Sequence, residues 1–231
     1  MDKFTRKMTL AKRRGRWGDP LLTALTVLLA LIIFVVAPLR GDGLPGAQDI
    51  GFVIAVMIIG AIVILSGNIT ALVAIVVGFG LTIVAAVLRL QGLFPLDVYL
   101  QASAWILMGL ALIWVISQAV FASGRITYHR VMGAILLYLA IGWTFAGVFT
   151  LLALIVPNAF SGFAVTDRPA LASDVLYLSF GTLTTAGTGD ITPIHPMARS
   201  LVNILTMIGQ LYPATLLARL VTLEIEDEAR R

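Results

Sequence analysis

A chain of 231 residues that is 59% hydrophobic and 12% charged, with mean hydropathy +1.00, cannot bury its apolar surface in one soluble core and belongs in a bilayer. The net charge of +4 excludes little by itself, but seven of the sixteen basic residues form a short flank of the first apolar run, which argues against nucleic-acid binding. With no cysteine, neither disulfides nor thiolate metal sites can form.

Charges are missing from Ile50 to Leu88, from Val98 to Gly124 and from Val131 to Thr166. Each gap is long enough for one or more helices of roughly 20 residues, the length that crosses about 30 Å of hydrocarbon. A basic cytoplasmic N-terminus covers residues 1–19, and a four-helix transmembrane region covers 20–122. Its first span is expected over Leu21 to Ala37, with Pro20 suited to a first turn and Pro38 to a stop. Pro38-Leu39-Arg40 offers no small-x-small cleavage pattern, so this span reads as retained. Span two, Ile50 to Leu65, turns through Ser66-Gly67-Asn68 into span three, Ile69 to Leu88. Span four, Val98 to Ala122, carries no Lys or Arg, which disfavours voltage sensing by a charged helix, and Gln101, Ser117 and Gln118 read as helix-to-helix hydrogen-bonding groups.

A basic cytoplasmic linker, residues 123–130, precedes span five, Val131 to Val156, which has Gly133, Gly142, Ala146 and Gly147 for close helix contact. After an external segment, Ser173 or Asp174 is expected to cap a short helix running to Thr184, about ten residues or 15 Å and half a membrane. Such a helix must stop inside protein or beside water, and its C-terminal dipole end favours a cation there. The loop Thr182-Leu183-Thr184-Thr185-Ala186-Gly187-Thr188-Gly189-Asp190 comes next, and its two glycines let carbonyls turn where other residues resist. Four such loops would stack rings of backbone oxygens, with the Thr185 hydroxyl as an inner ring, and strip water from a cation.

Span six, Met197 to Leu223, contains Gly209 and Pro213, either of which permits a bend, although tight packing at the glycine and a tolerated membrane proline explain them as well. A short charged tail, 224–231, ends the chain. This topology places twelve basic residues inside and four outside (Arg40, Arg89, Arg168 and Arg199), which puts both termini in the cytoplasm. The expected class is an all-α membrane protein of six transmembrane helices with a re-entrant helix and loop. No internal repeat is visible, so a four-fold ring requires four copies.

The order helix, half-helix, Thr-Thr-x-Gly-x-Gly-Asp, helix resembles the pore module of the potassium-channel superfamily, carried by Thr184, Thr185, Gly187, Gly189 and Asp190. Tyr177-Leu178-Ser179-Phe180 before and Gly209-Gln210-Leu211-Tyr212 after reinforce the resemblance, which covers 131–223 as a pore domain of outer helix, pore helix, filter and inner helix. It implies filter carbonyls on Thr185, Ala186, Gly187 and Thr188, support and an outer mouth at Thr184, Gly189 and Asp190, and a gating hinge at Gly209 with Pro213. It also implies a homotetramer in a membrane, set among lipids, passing monovalent cations with no cofactor and no enzymatic step; the layout is that of six-span proteins of a bacterial inner membrane.

Two filter positions depart from the family. Ala186-Gly187-Thr188-Gly189 stands where Val-Gly-Tyr-Gly is usual, Leu178 stands at the cuff position of the short helix, and Gly181 stands where an acid sometimes sits behind the filter. Thr188 can hydrogen-bond locally but cannot fill a tyrosine's space, which implies a less rigid loop. Potassium is the favoured permeant ion. Sodium or non-selective conduction, and a non-conducting scaffold or auxiliary subunit, are the alternatives.

Overall fold

A computed structural model describes residues 21–41, 69–120, 128–163, 165 and 170–228. The expected span two, its turn at 66–68 and most of the basic linker lie outside the described residues. Among the described residues five helices are long and apolar enough to cross a membrane, so the chain is a multi-pass, nearly all-helical membrane protein.

Helix α1, Leu21–Leu39, does not stop at Pro38 but continues through Ala37–Gly41. Proline in a helix lacks an N–H and crowds the carbonyl four residues back, here that of Phe34. The chain meets this with a π-helical turn, Ile32–Val36, closed by the Ala37 N–H donating to the Ile32 carbonyl five residues back. Helix α2, Ile69–Leu90, and helix α3, Leu96–Val120, form a hairpin whose turn is bridged by Arg89 and Asp97, Nε to Oδ2 3.1 Å. Asp97 lies in the first turn of α3, where the helix dipole favours an anion.

Helix α4, Tyr128–Ile155, is the centre of the fold. About 61% of its spanning window is buried, because small residues let both neighbours close in. Gly147 abuts the Ala102 carbonyl of α3, Gly109 of α3 abuts Thr144, and Trp105 and Trp143 meet with ring centroids 5.0 Å apart. Ser117, expected to bond across helices, donates instead to Trp114 of its own helix, 2.9 Å. On another side α1 meets α4, with the Thr26 hydroxyl donating to the Met132 carbonyl at 2.9 Å.

Strand β1, Phe160–Ser161, comes next, then helix α5, Leu171–Leu183, strand β2, Thr192–Pro193, and helix α6, Pro196–Glu228. The cap of α5 is Ala170, with no side-chain bond, and not Ser173 or Asp174. The Asp174 N–H already donates to the Ala170 carbonyl, so this carboxylate sits inside the first turn and acts there as a charge. At 13 residues α5 is about 20 Å long, too short to span. Strands β1 and β2 pair antiparallel, Phe160 with Pro193 and Ser161 with Thr192, so the chain between them leaves and returns at one level. Helix α6 starts with Pro196 at the position where its missing N–H costs nothing, and runs unbroken through Gly209 and Pro213.

Candidate functional site

The loop after α5 begins where the helix ends on its own bonds. Thr184 N–H and Oγ1 both donate to the Phe180 carbonyl, at 2.9 and 2.7 Å, and Thr185 N–H donates to Thr182 at 3.0 Å. Thr185 then turns left-handed, φ +59°. For a β-branched residue this is an outlier that costs about 1–2 kcal/mol and persists only where the surroundings impose it. Gly187 comes next at φ +73° and Gly189 at φ +75°, while Ala186 and Thr188 keep ordinary negative φ. A backbone that changes hand at every residue sends successive carbonyls to one side and successive N–H groups to the other. A run of oxygens on one side is what cation dehydration needs.

The other side is held by α5. Gly187 N–H donates to the Gly181 carbonyl, 3.1 Å. Gly181 has no side chain because the Thr188 methyl occupies that space; a Cβ there would lie 2.7 Å from Thr188 Cγ2. The Thr188 hydroxyl donates to the Ile191 carbonyl at 2.6 Å, and Ile191 N–H donates to Asp190 Oδ1 at 3.0 Å. Thr188, expected to leave a tyrosine's space unfilled, is thus packed on one side and hydrogen-bonded on the other, because the helix approaches at the glycine. Leu178 is buried in the hydrophobic core. The half-exposed Tyr177 phenol lies near the Asp190 carboxylate; desolvation first, then the neighbouring Asp190 charge, hold that phenol above its usual pKa.

Where α5 ends, the Leu183 carbonyl is the meeting point of three helices. The Tyr138 hydroxyl of α4 donates to it at 2.9 Å, and Gly209 of α6 lies so close that a Cβ would collide with that oxygen. The Tyr212 ring meets that of Tyr138 at a tilt, centroids 5.7 Å apart, and its hydroxyl donates to the Ala134 carbonyl at 2.8 Å. Gln210 Nε2 faces the Thr185 hydroxyl at 3.5 Å, a long contact. Gly209 and Pro213 also form one feature, since the N–H that Pro213 lacks is the one the Gly209 carbonyl would accept.

At the other end of the loop Gly162, φ +93°, packs directly on the Asp190 carbonyl, and the Ser161 and Thr192 hydroxyls meet at 2.7 Å. Arg199 Nε donates to the Pro193 carbonyl at 3.3 Å. All nine sequence-derived site residues therefore belong to one region: Thr184 to Asp190 make the loop, Gly209 backs it, and Pro213 lies one turn beyond. Sequence reading passed over Gly162, Tyr138 and the hydroxyl of Ser179, which donates to the Gly142 carbonyl at 2.7 Å. A serine in an apolar half-helix and a tyrosine in the middle of a span were the available signals, since buried hydroxyls need partners. Gly162 carried no signal beyond being a glycine in a linker.

Residues 134–225 match a family model described as ion channel, a stretch that takes in most of α4, all of α5 and the loop, and most of α6. No curated protein and no solved structure matches the chain. The matched stretch contains every residue of the site and supports an ion-channel function for this multi-pass membrane protein.

Proposed function

We propose that the chain is one subunit of a homotetrameric, potassium-preferring cation channel that works passively, with the carbonyls of Thr185, Ala186, Gly187 and Thr188 as its ion sites. The observation that carries this is the alternating hand of Thr185, Gly187 and Gly189, which aligns the intervening oxygens. One loop supplies one column of oxygens, and a dehydrating cage needs several. The uncovered face of α6, of whose spanning window about 11% is buried within the chain, suits contact with sister subunits and a pore. Met197, Ile204, Met207 and Leu211 are among the apolar side chains it leaves exposed. Potassium is preferred because Thr188 is fixed by Gly181 and Ile191, which keeps the ring size constant. Asp190 concentrates cations at the outer mouth, and both termini lie in the cytoplasm of a bacterial inner membrane.

The test is ion flux in liposomes holding the purified protein, under potassium and sodium gradients, with Gly187→Ala as control. Nothing in the chain lies within 4 Å of a Cβ at Gly187, so the substitution leaves the subunit's own packing intact, but its φ of +73° no longer suits the residue and the carbonyl turns. Potassium flux above sodium flux, lost in Gly187→Ala, supports the reading. Equal fluxes lost in the variant identify a non-selective pore, and silence that persists with Gly209 and Pro213 substituted favours a scaffold.

A further inference from the structure

The first span touches the helix that carries the loop. The Phe34 ring meets the Phe180 ring edge to face, centroids 5.4 Å apart at 62°. Phe180 also meets α4, where its ring tip rests on the bare Cα of Gly142. Its carbonyl receives both bonds from Thr184, and the next residue, Gly181, receives the Gly187 N–H and the Thr188 methyl. Phe180 is therefore one residue from the contacts that Gly181 makes with Gly187 and Thr188.

Phe34 sits at the middle of the π-helical turn Ile32–Val36. One extra residue in a turn rotates the two flanking stretches of helix against each other by about 100°. Ile33 and Val36 remain in the core while Phe34 points at α5, and Ala37–Gly41 runs on along that helix. Phe34 is 57% exposed, so the ring is not there to fill the core.

We propose that Phe34 is a positioning residue for the ion-conducting loop: through Phe180 the first span clamps α5 against Gly142 and keeps Gly181 where Gly187 and Thr188 need it. The inference rests on the proposed function for its effect on permeation, but the clamp has a readout of its own. Amide hydrogen exchange of peptides covering Thr184 to Gly189 reports loop opening whether or not ions pass.

The experiment compares the full-length protein in liposomes with Phe34→Ala, Phe34→Tyr and, as a neighbouring exposed control, Val35→Ala. Phe34→Ala should speed exchange in those peptides by about threefold to tenfold, the range expected from losing one edge-to-face ring contact, and should lower the potassium-to-sodium flux ratio. Phe34→Tyr, which keeps the ring, should restore both, and Val35→Ala should change neither. Unchanged loop exchange in Phe34→Ala, or an equal effect from Val35→Ala, overturns the clamp. If the unsubstituted protein passes no ions, the proposed function fails, and the exchange result alone decides whether the clamp exists.

Discussion

Replacing Gly209 with alanine separates two roles that a glycine in a helix packed against the loop can have. A Cβ at Gly209 would strike the Leu183 carbonyl oxygen and lie 2.8 Å from its carbon and 3.3 Å from its Cα, all backbone atoms at the end of α5. Backbone cannot swing aside as a side chain can, so α6 and α5 must separate, at about 1–3 kcal/mol for overpacking. Separation also breaks the Tyr138 bond to the same carbonyl, 2.9 Å, for about 1 kcal/mol more. Alanine's better helix propensity offsets about 1 kcal/mol. The net loss of about 1–3 kcal/mol corresponds to a fall of roughly 2–12 °C in the thermal midpoint of the solubilised protein. Flux should fall with it, because Leu183 directly precedes Thr184 and Thr185. If Gly209 served only as a point of flexibility, alanine would leave the midpoint unchanged or raise it while suppressing flux. An unchanged or raised midpoint would refute the close-approach reasoning.

The same geometry sets two further outcomes. Gly181→Ala puts a Cβ 2.7 Å from Thr188 Cγ2, a short side chain with no free end to move, so the loop shifts and, under the proposed function, the potassium-to-sodium flux ratio should drop by about threefold or more; an unchanged ratio would remove Gly181 as a support. The Tyr177 phenol has a raised folded-state pKa, so its contribution is fully present below the unfolded value of about 10 and is lost as pH climbs through the folded one. Flux should therefore show no Tyr177-dependent change between about pH 6 and 9, measured against Tyr177→Phe; a step in that window that the variant abolishes would contradict the assignment.

The elements most legible in the sequence were those set by local chemistry. Long charge-free runs give spanning helices because a bilayer leaves a backbone no other way to satisfy its polar groups, and α2, α3, α4 and α6 fall within a few residues of the expected bounds. The alternation of Thr185, Gly187 and Gly189 at positive φ was partly visible, since glycine announces such a backbone, whereas threonine does not and Thr185 adopts it only under constraint. Boundaries were less legible where one local rule met another. Pro38 reads as a stop, but a π turn absorbs it, and Ser173 and Asp174 read as caps, but the helix starts earlier on Ala170.

From the sequence alone came the bilayer, the short non-spanning helix and the position of the loop, because hydropathy, helix length and glycine spacing act within a few residues of each other. Only the tertiary structure decided what the single residues around that loop do. Gly181 became the seat of the Thr188 methyl, Gly209 the close approach to Leu183, Gly162 the support under Asp190, and Phe34 the neighbour of Phe180. Each depends on which segment, tens of residues away, arrives at that point, and a glycine or phenylalanine reads the same in sequence whether its neighbour is lipid, backbone or another ring.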